Sequence, residues 1–439
     1  MKIAELLGLS KRNGASERNG VRAVSALVQA CRGLLSERGE VSASRLATEV
    51  LSAYQALDKT EREAFFDRLA KEFSPDPDKV GLAGDAYRKE PSPENLARLQ
   101  KAVEPPRQEL FRRLNVAPGG TRVLVDMRGH LLRDSGPNSS RAPIAADLKH
   151  LLTSWFNRGF LVLQKIDWRT SATILEKLIK YEAVHQIQGF HDLRRRLAED
   201  RRCYAFFHPA LPEEPIIFVE AALTQGMSDK VQPLLDPDSA IVNPDSADCA
   251  IFYSITNCHD GLRGVPMGSF LIKQVVEDIG REFPRIRRFA TLSPVPGFRE
   301  WLRQNGASLA PPGVLARLDD PKWLENPQAR QELQEWLVPL AAFYLLRAKR
   351  GKEPLDSVAR FHLRNGARLE RINWLGDTSK AGMDRSAAIT VNYRYRLSDL
   401  EHNHELYTRD YQVAASREVE GLAKHAAAGP NRPTRARQS

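Results

Sequence analysis

Three polar side chains in the second half of the chain have the chemistry to position and protonate a reacting group. Ser293 precedes two closely spaced prolines, which remove backbone donors and stiffen the segment that carries its hydroxyl. His362 lies between Phe361 and Leu363, and an imidazole with its usual pKa of about 6.5 can exchange a proton near neutral pH. Tyr395 lies on an alternating, strand-like segment and could donate from its phenol. Each has a structural alternative, because serines cap turns, lone histidines are often structural and strand tyrosines pack in cores.

A glycine-bearing loop between an apolar strand and an amphipathic helix could hold a phosphate group. The loop GLRGVPMG covers residues 261–268, and free backbone N–H groups at the start of the next helix would suit an anion. Gly264 would let a phosphate approach the backbone closely, and Arg263 adds a positive charge. The loop matches neither the GxGxxG nor the GxxxxGK[ST] pattern, so a simple turn remains the alternative.

Short runs of β-branched and aromatic residues predict the strands that must position these side chains. The predicted strands are 204–207, 216–219, 250–255, 289–292 and 388–395, and the predicted helices are 269–283, 298–305 and 331–349. A hairpin is expected across 205–219, with its turn at 212–215. Strands mixed with helices indicate a domain with a mixed sheet, which we place at 159–425.

The first third of the chain shows helical periodicity without long stretches of alternation. Thr60 with Glu63 predicts a capping box, and Ser92 followed by Pro93 predicts a helix N-cap with proline in the first turn. We therefore predict an all-helical domain of about six to eight helices at 1–158. With the mixed-sheet domain that follows, the chain is of the α+β class.

Composition limits the partners and the compartment. The chain has 439 residues and a formal net charge of +10, which favours anionic partners. Nucleic acid is not expected, because the aromatic residues fall in apolar strand and helix stretches rather than among basic residues. The four cysteines lack zinc-ligand spacing and suit a reducing compartment. We expect a cytoplasmic protein with no metal, no membrane association and a disordered basic tail at 426–439.

Several sequence blocks, taken in order, resemble the malonyl-CoA decarboxylase family. The blocks are RRCYAFFHPALPEEPIIFVEAALT (201–224), AIFYSI (250–255), GLRGV (261–265), FLIKQVVEDI (270–279), TLSPVPGFREWL (291–302), FHLRNGA (361–367), RINWLGD (371–377) and VNYRY (391–395). Ordered blocks of this kind are far more specific than any single motif. The resemblance covers most of the chain.

This resemblance implies a helical oligomerisation domain followed by a catalytic domain like that of the GNAT-type N-acetyltransferases. It implies malonyl-CoA as substrate, acetyl-CoA as product, a homo-oligomer (dimer or tetramer), and no cofactor apart from the coenzyme A of the substrate. The family's catalytic serine and histidine fall on Ser293 and His362, and the tyrosine of its last strand falls on Tyr395. The residues implied to bind the coenzyme A pyrophosphate are Arg263, Gly264, Val265, Gly268, Ser269 and Phe270. Vertebrate members carry a glutamate where this chain has Pro266.

The chemistry of such a reaction suggests how the three side chains divide the work. Loss of CO2 from a malonyl thioester leaves an enolate, which must be stabilised at oxygen and protonated at carbon. We assign the oxygen and the position of the carboxylate to Ser293 with support from Tyr395, and protonation to His362. Two alternatives stay open: an acyl-CoA-dependent acyltransferase on the same fold, and a non-catalytic malonyl-CoA sensor.

Overall fold

The computed structural model describes residues 16–429 except 135, 137–138, 268–270 and 312. The chain divides into two compact units. The first comprises Met1–Val162, Phe207–Ile216 and Asn257–Met267, and the second comprises Leu163–Phe206, Ile217–Thr256 and Gly268–Ser439. The domain boundaries given above, 1–158 and 159–425, stay predictions.

Eight helices make up the described part of the chain before the first strand, as the sequence predicts. They are α1 (Ser16–Ser36), α2 (Glu40–Gln55), α3 (Lys59–Glu72), α4 (Pro77–Lys89), α5 (Pro93–Val103), α6 (Pro106–Val116), α7 (Gly120–Asp134) and α8 (Ala142–Trp155). Their core contains side chains at three- and four-residue spacing, such as Val24, Leu27, Val28 and Cys31 of α1.

One of the two predicted helix starts in this region is correct. The Ser92 hydroxyl accepts a hydrogen bond from Asn95 N at 3.2 Å, with Pro93 in the first turn of α5. The capping box predicted at Thr60 is wrong, because α3 starts earlier. Asp58 accepts from Glu61 N at 2.9 Å, and its own N–H donates to the Glu61 carboxylate at 2.8 Å. Asp58 has the extended backbone that a cap requires, so Thr60 already lies inside the first turn.

The remaining strands and helices form the mixed-sheet part of the chain. The strands are β1 (Val162–Ile166), β2 (Arg201–His208), β3 (Leu211–Thr224), β4 (Cys249–Asn257), β5 (Arg288–Thr291), β6 (Ser293–Pro294), β7 (Lys349–Arg350), β8 (Glu353–Pro354), β9 (Arg368–Asn373) and β10 (Thr390–Tyr395). The helices are α9 (Ala172–Tyr181), α10 (Phe190–Arg196), α11 (Gln232–Leu235), α12 (Leu271–Glu282), α13 (Phe298–Asn305), α14 (Pro327–Arg347), α15 (Ser357–Arg364), α16 (Lys380–Ser386), α17 (Leu400–Asp410) and α18 (Arg417–Ala427).

Eight of these strands form one sheet in the order β1-β2-β3-β4-β5-β10-β6, with β9 pairing to β10. β4 and β5 are parallel, whereas β10 runs antiparallel to β5, β6 and β9. The sheet is therefore mixed, and the predicted α+β class is confirmed.

Two local predictions in this part of the chain are wrong. The turn between β2 and β3 consists of residues 209–210, and Pro212 and Pro215 lie inside β3, where Glu213 between them has a φ of 57°. The expected disorder from residue 426 is also contradicted at its start, because α18 continues to Ala427. The apolar face of α18 packs against α14 and buries Ala426. Residues 430–439 lie outside the described part of the chain.

Candidate active site

Ser293 lies where β5 ends and the chain enters the short strand β6. It pairs with Val391 on β10, and the side chain of Asn392 donates to the carbonyl oxygen of Thr291 at 2.6 Å. The next residue, Pro294, has no N–H to donate and has a restricted φ. The segment is thus held by β10, and Ser293 is only 6% exposed.

His362 reaches the site from α15. The Asp356 carboxylate caps this helix by accepting from Ala359 N at 2.8 Å. Ala359, His362 and Leu363 follow each other at three- and four-residue spacing and form its buried face. The imidazole stacks on the ring of Tyr393 with 4.5 Å between centroids and 23° between planes. His362 is 3% exposed, so its ring is fixed inside the second unit.

Four side chains form a continuous hydrogen-bonded chain across the site. His362 Nε2 lies 3.0 Å from Ser293 Oγ, and His362 Nδ1 lies 2.7 Å from the Tyr395 hydroxyl. Ser293 Oγ in turn donates to Thr291 Oγ1 at 2.8 Å. The structure therefore brings together the three predicted residues Ser293, His362 and Tyr395. Tyr395 contacts the imidazole rather than Ser293, so any support it gives to the serine passes through His362.

The chemistry of the phenol assigns a direction to this chain. Burial raises the pKa of Tyr395 well above its usual value, so the phenol keeps its proton. Its hydroxyl meets no other acceptor among the described residues, and it therefore donates to His362 Nδ1. The proton of a neutral imidazole then resides on Nε2 and is donated to Ser293 Oγ.

Burial lowers the pKa of His362 below the usual value of an imidazole. Removal from water lowers its pKa from 6.5 to about 3, because no carboxylate compensates for the desolvation of the charged ring. The pKa of His362 in the folded chain therefore differs from the usual value of about 6.5 expected from the sequence. At neutral pH the ring is neutral, and it can pass a proton from Nε2 only if Nδ1 receives one.

The parallel strands β4 and β5 separate beside this chain of hydrogen bonds. Their pairing runs from Cys249 opposite Arg288 to Phe252 opposite Thr291. The last contact is a hydrogen bond from Leu292 N to Phe252 O at 2.9 Å. After it, β6 pairs with β10 instead. The final residues of β4 thus have no β5 partner within the described structure.

The described part of the predicted phosphate loop belongs to the first unit. Arg263 forms an exposed ion pair with Asp260 at 2.6 Å, and its carbonyl oxygen accepts from the Arg128 guanidinium at 2.9 Å. Gly264 has a φ of 72°, a conformation that glycine adopts without strain, and Val265 is buried. Residues 268–270, which carry the other predicted contacts, lie outside the described residues. Phosphate binding here stays a prediction.

Sequence reasoning missed three residues that shape the site. Thr291 accepts from Ser293 Oγ, Asn392 fastens the same segment to β10, and Asp356 caps the helix of His362. Thr291 could have been found from strand alternation, because it lies two residues before Ser293 and on the same face. Asp356 matches an N-cap pattern ahead of an apolar face. Asn392 carries no such local signal.

Among the described residues, no three His, Cys, Asp or Glu side chains come together in an arrangement that could hold a metal ion. None of the helices described above is long and apolar enough to cross a membrane.

A helical N-terminal part followed by a mixed sheet defines an α+β protein, and the buried serine–histidine–tyrosine chain is its candidate site. Models of known families match both parts of the chain. The malonyl-CoA decarboxylase C-terminal domain matches residues 159–432, and the malonyl-CoA decarboxylase N-terminal domain matches residues 73–156. The chain therefore belongs to the malonyl-CoA decarboxylase family, as the sequence blocks indicated, and is a carboxy-lyase.

Individual relatives agree with this assignment over nearly their whole length. The mitochondrial malonyl-CoA decarboxylase of Anser anser anser is 32% identical over 94% of this chain and 90% of its own. That of Mus musculus is 32% identical over 88% and 87% of the two chains. The crystal structure of malonyl-CoA decarboxylase from Rhodopseudomonas palustris superposes with a TM-score of 0.88 at 47% identity, covering 91% of this chain and 99% of the other. The enzyme from Agrobacterium vitis gives 0.85 at 47% identity, with 90% and 99% coverage.

Proposed function

We propose that this protein converts malonyl-CoA to acetyl-CoA and CO2 at Ser293 and His362. The observation that carries the proposal is the hydrogen-bonded chain from Tyr395 through His362 to Ser293. It supplies a fixed hydroxyl and a neutral imidazole at the place where β4 and β5 separate. The thioester carbonyl is itself the electron sink, so the reaction needs no redox cofactor.

Ser293 stabilises the oxygen on which negative charge develops. In the structure its proton is donated to Thr291 Oγ1, and a rotation about one bond redirects it toward a thioester oxygen. The electrons of the breaking bond to the carboxylate then form the enolate, and CO2 leaves. One preorganised donor to such an oxyanion is typically worth about 3 kcal/mol of transition-state stabilisation.

Protonation of the enolate carbon uses the hydrogen bonds that join Ser293 to His362 and His362 to Tyr395. Ser293 gives its proton to the carbon and takes one from His362 Nε2, while His362 Nδ1 takes one from the Tyr395 hydroxyl. The ring stays neutral throughout, as its lowered pKa requires. The carbon gains one proton and Tyr395 loses one. The enolate carbon is far more basic than a phenolate, so it can draw this proton despite the raised pKa of Tyr395, and solvent replaces it before the next turnover.

Two further parts of the proposal concern binding and assembly. We assign the coenzyme A pyrophosphate to the loop that includes Arg263, Gly264 and Val265 and continues through residues 268–270. Assembly into a homo-oligomer through the helical region is supported by the hairpin of α4 and α5. Helix α4 has no buried residue, and its Leu82 side chain is 72% exposed. Leu96 and Val103 on α5 are also exposed, and several apolar side chains on one hairpin suit burial against a second copy of the chain.

Incubation of the purified protein with malonyl-CoA alone tests the reaction. We expect stoichiometric CO2 and acetyl-CoA without any acceptor. Ser293→Ala and His362→Asn should each lower kcat by at least about a hundredfold. The exposed controls Ser308→Ala and His402→Asn should leave it unchanged.

The two alternative functions are outcomes of the same assay. Acetyl- or malonyl-transfer that appears only when an amine is added would favour an acyltransferase. Tight binding of malonyl-CoA with no product over hours would favour a sensor. Full turnover by Ser293→Ala would refute the assigned site.

A further inference from the structure

A buried carboxylate lies on the β4 side of the strand separation, opposite the side that carries Ser293. Glu182, which follows α9, is 6% exposed. Its carboxylate accepts from Ser254 Oγ at 2.7 and 2.9 Å and from Thr256 Oγ1 at 3.2 Å. The backbone N–H groups of Val184 and His185 donate to it at 2.8 and 2.7 Å.

The hydrogen bonds around Glu182 are those of a carboxylate that has no ion-pair partner. The buried Arg196, which donates to the carbonyl oxygen of His185 at 2.9 Å, is itself paired with Asp192 and Glu220. All four donors point at the carboxylate, and among the described residues no Lys or Arg forms an ion pair with it. His185 does not provide the missing charge, because burial lowers its pKa and keeps the ring neutral. A negative charge is therefore fixed at the end of β4.

Strand register places this charge next to the reacting centre. Phe252 on β4 lies opposite Thr291 on β5. Two residues further along, the two strands carry Ser254 and Ser293 respectively. Side chains two residues apart share a face of a strand, so Ser254 lies on the face of Phe252, whose ring meets that of Tyr395 at 6.3 Å. The separation of the strands is thus bordered by Ser254 with Glu182 on one side and by Ser293 with His362 on the other.

The two borders have opposite polarity. Ser254 gives its proton to Glu182 and can offer a ligand only lone pairs, whereas Ser293 can offer a proton. During decarboxylation a negative charge moves from the carboxylate of the substrate to its thioester oxygen. A fixed anion on one side and a donor on the other favour that movement, because the substrate carboxylate is destabilised more than the enolate.

We propose that Glu182 is a positioning residue for decarboxylation: it holds Ser254 as an acceptor and sets a negative field on the β4 side of the site. This inference rests on the proposed function. Its distinctive consequence is a difference between two ligands. Malonyl-CoA carries the carboxylate that Glu182 disfavours, and acetyl-CoA lacks it.

Binding of both ligands to Glu182→Gln tests the inference, in a Ser293→Ala background so that malonyl-CoA is not consumed. We expect Glu182→Gln to bind malonyl-CoA about tenfold more tightly and acetyl-CoA with unchanged affinity. In the otherwise native enzyme, kcat should fall about tenfold. A residue that merely fastens the segment after α9 would change the affinities for both ligands equally. Glu420→Gln, an exposed substitution on α18, is the matched control and should change nothing.

Ser254→Ala provides a second, independent measurement if Glu182→Gln does not fold. It leaves the charge in place and removes the hydroxyl in front of it, so binding of malonyl-CoA should weaken relative to acetyl-CoA. An unchanged ratio of the two affinities in either folded variant overturns the inference. If the wild-type protein makes no CO2 from malonyl-CoA, the proposed function fails instead, so the two failures are distinguishable.

Discussion

Acidification should destabilise the wild-type protein more than a variant that lacks the imidazole of His362. Burial lowers the pKa of His362 in the folded chain to about 3, whereas the same group titrates near 6.5 when it is exposed. Between these two values the unfolded chain binds a proton that the folded chain does not bind. The stabilising effect is therefore complete above pH 6.5 and is lost progressively as the pH falls toward 3.

The magnitude follows from the width of the interval that an experiment covers. When the pH falls from 7.5 to 4.5, about two pH units of that range lie below the pKa of about 6.5 that His362 has in the unfolded chain. At about 1.36 kcal/mol per unit, the wild type should lose about 3 kcal/mol more unfolding free energy than His362→Asn, which has no titratable group at that position.

Urea unfolding at several pH values between 7.5 and 4.5 measures this difference. Tryptophan fluorescence is a suitable signal, because five of the six tryptophans lie in the second compact unit, which contains His362. His402→Asn, which removes an exposed histidine, should lose as much stability as the wild type. Equal losses in His362→Asn and the wild type would refute the buried, neutral imidazole on which the proton relay depends.

Two other substitutions test how the site is supported. Tyr395→Phe should lower kcat by about ten- to a hundredfold and leave the pH dependence of the unfolding free energy in urea unchanged, because His362 loses only the donor at Nδ1. A kcat equal to that of the wild type would exclude Tyr395 from the proton relay. Gly366→Ala should lower the free energy of unfolding in urea by about 2 kcal/mol or more. Gly366 has a φ of 77°, and a Cβ there would lie 2.1 Å from the carbonyl oxygen of Leu400. Gly33→Ala in α1, where a Cβ meets nothing within 4 Å, is its control and should be stabilising; the same loss at both positions would contradict the steric argument.

Local sequence patterns predicted eight of the twenty strands and helices described in the mixed-sheet part, namely β2, β3, β4, β5, β10, α12, α13 and α14. The helix at 298–305 has the predicted bounds, and β4 and β5 fall on predicted strands. The errors occurred where a neighbouring residue competes for the same role. Asp58 rather than Thr60 caps α3, and residues 209–210 rather than 212–215 form the turn of the hairpin. Several residues in such a stretch have similar local propensities, and packing selects one of them.

The sequence predicted which residues form the candidate site but not how they contact one another. Ser293, His362 and Tyr395 could be named from their surroundings and from the family resemblance. Their order in the hydrogen-bonded chain could not, because the pairs are 69 and 33 positions apart in sequence. Thr291 and Glu182 were not predicted, because the role of each depends on a hydrogen bond made in the folded structure. Thr291 accepts from Ser293, and Glu182 accepts from Ser254.

The sequence by itself determined that the chain has a helical first part and a mixed sheet, and which family it belongs to. These properties depend on periodicity and on ordered blocks, which can be read along the chain. Only the tertiary structure decided that His362 is neutral and that Tyr395 acts on the imidazole. It also placed the anion of Glu182 across from Ser293. The physical reason is that pKa values and electric fields depend on burial and on neighbours in space, and both arise only when distant segments pack together.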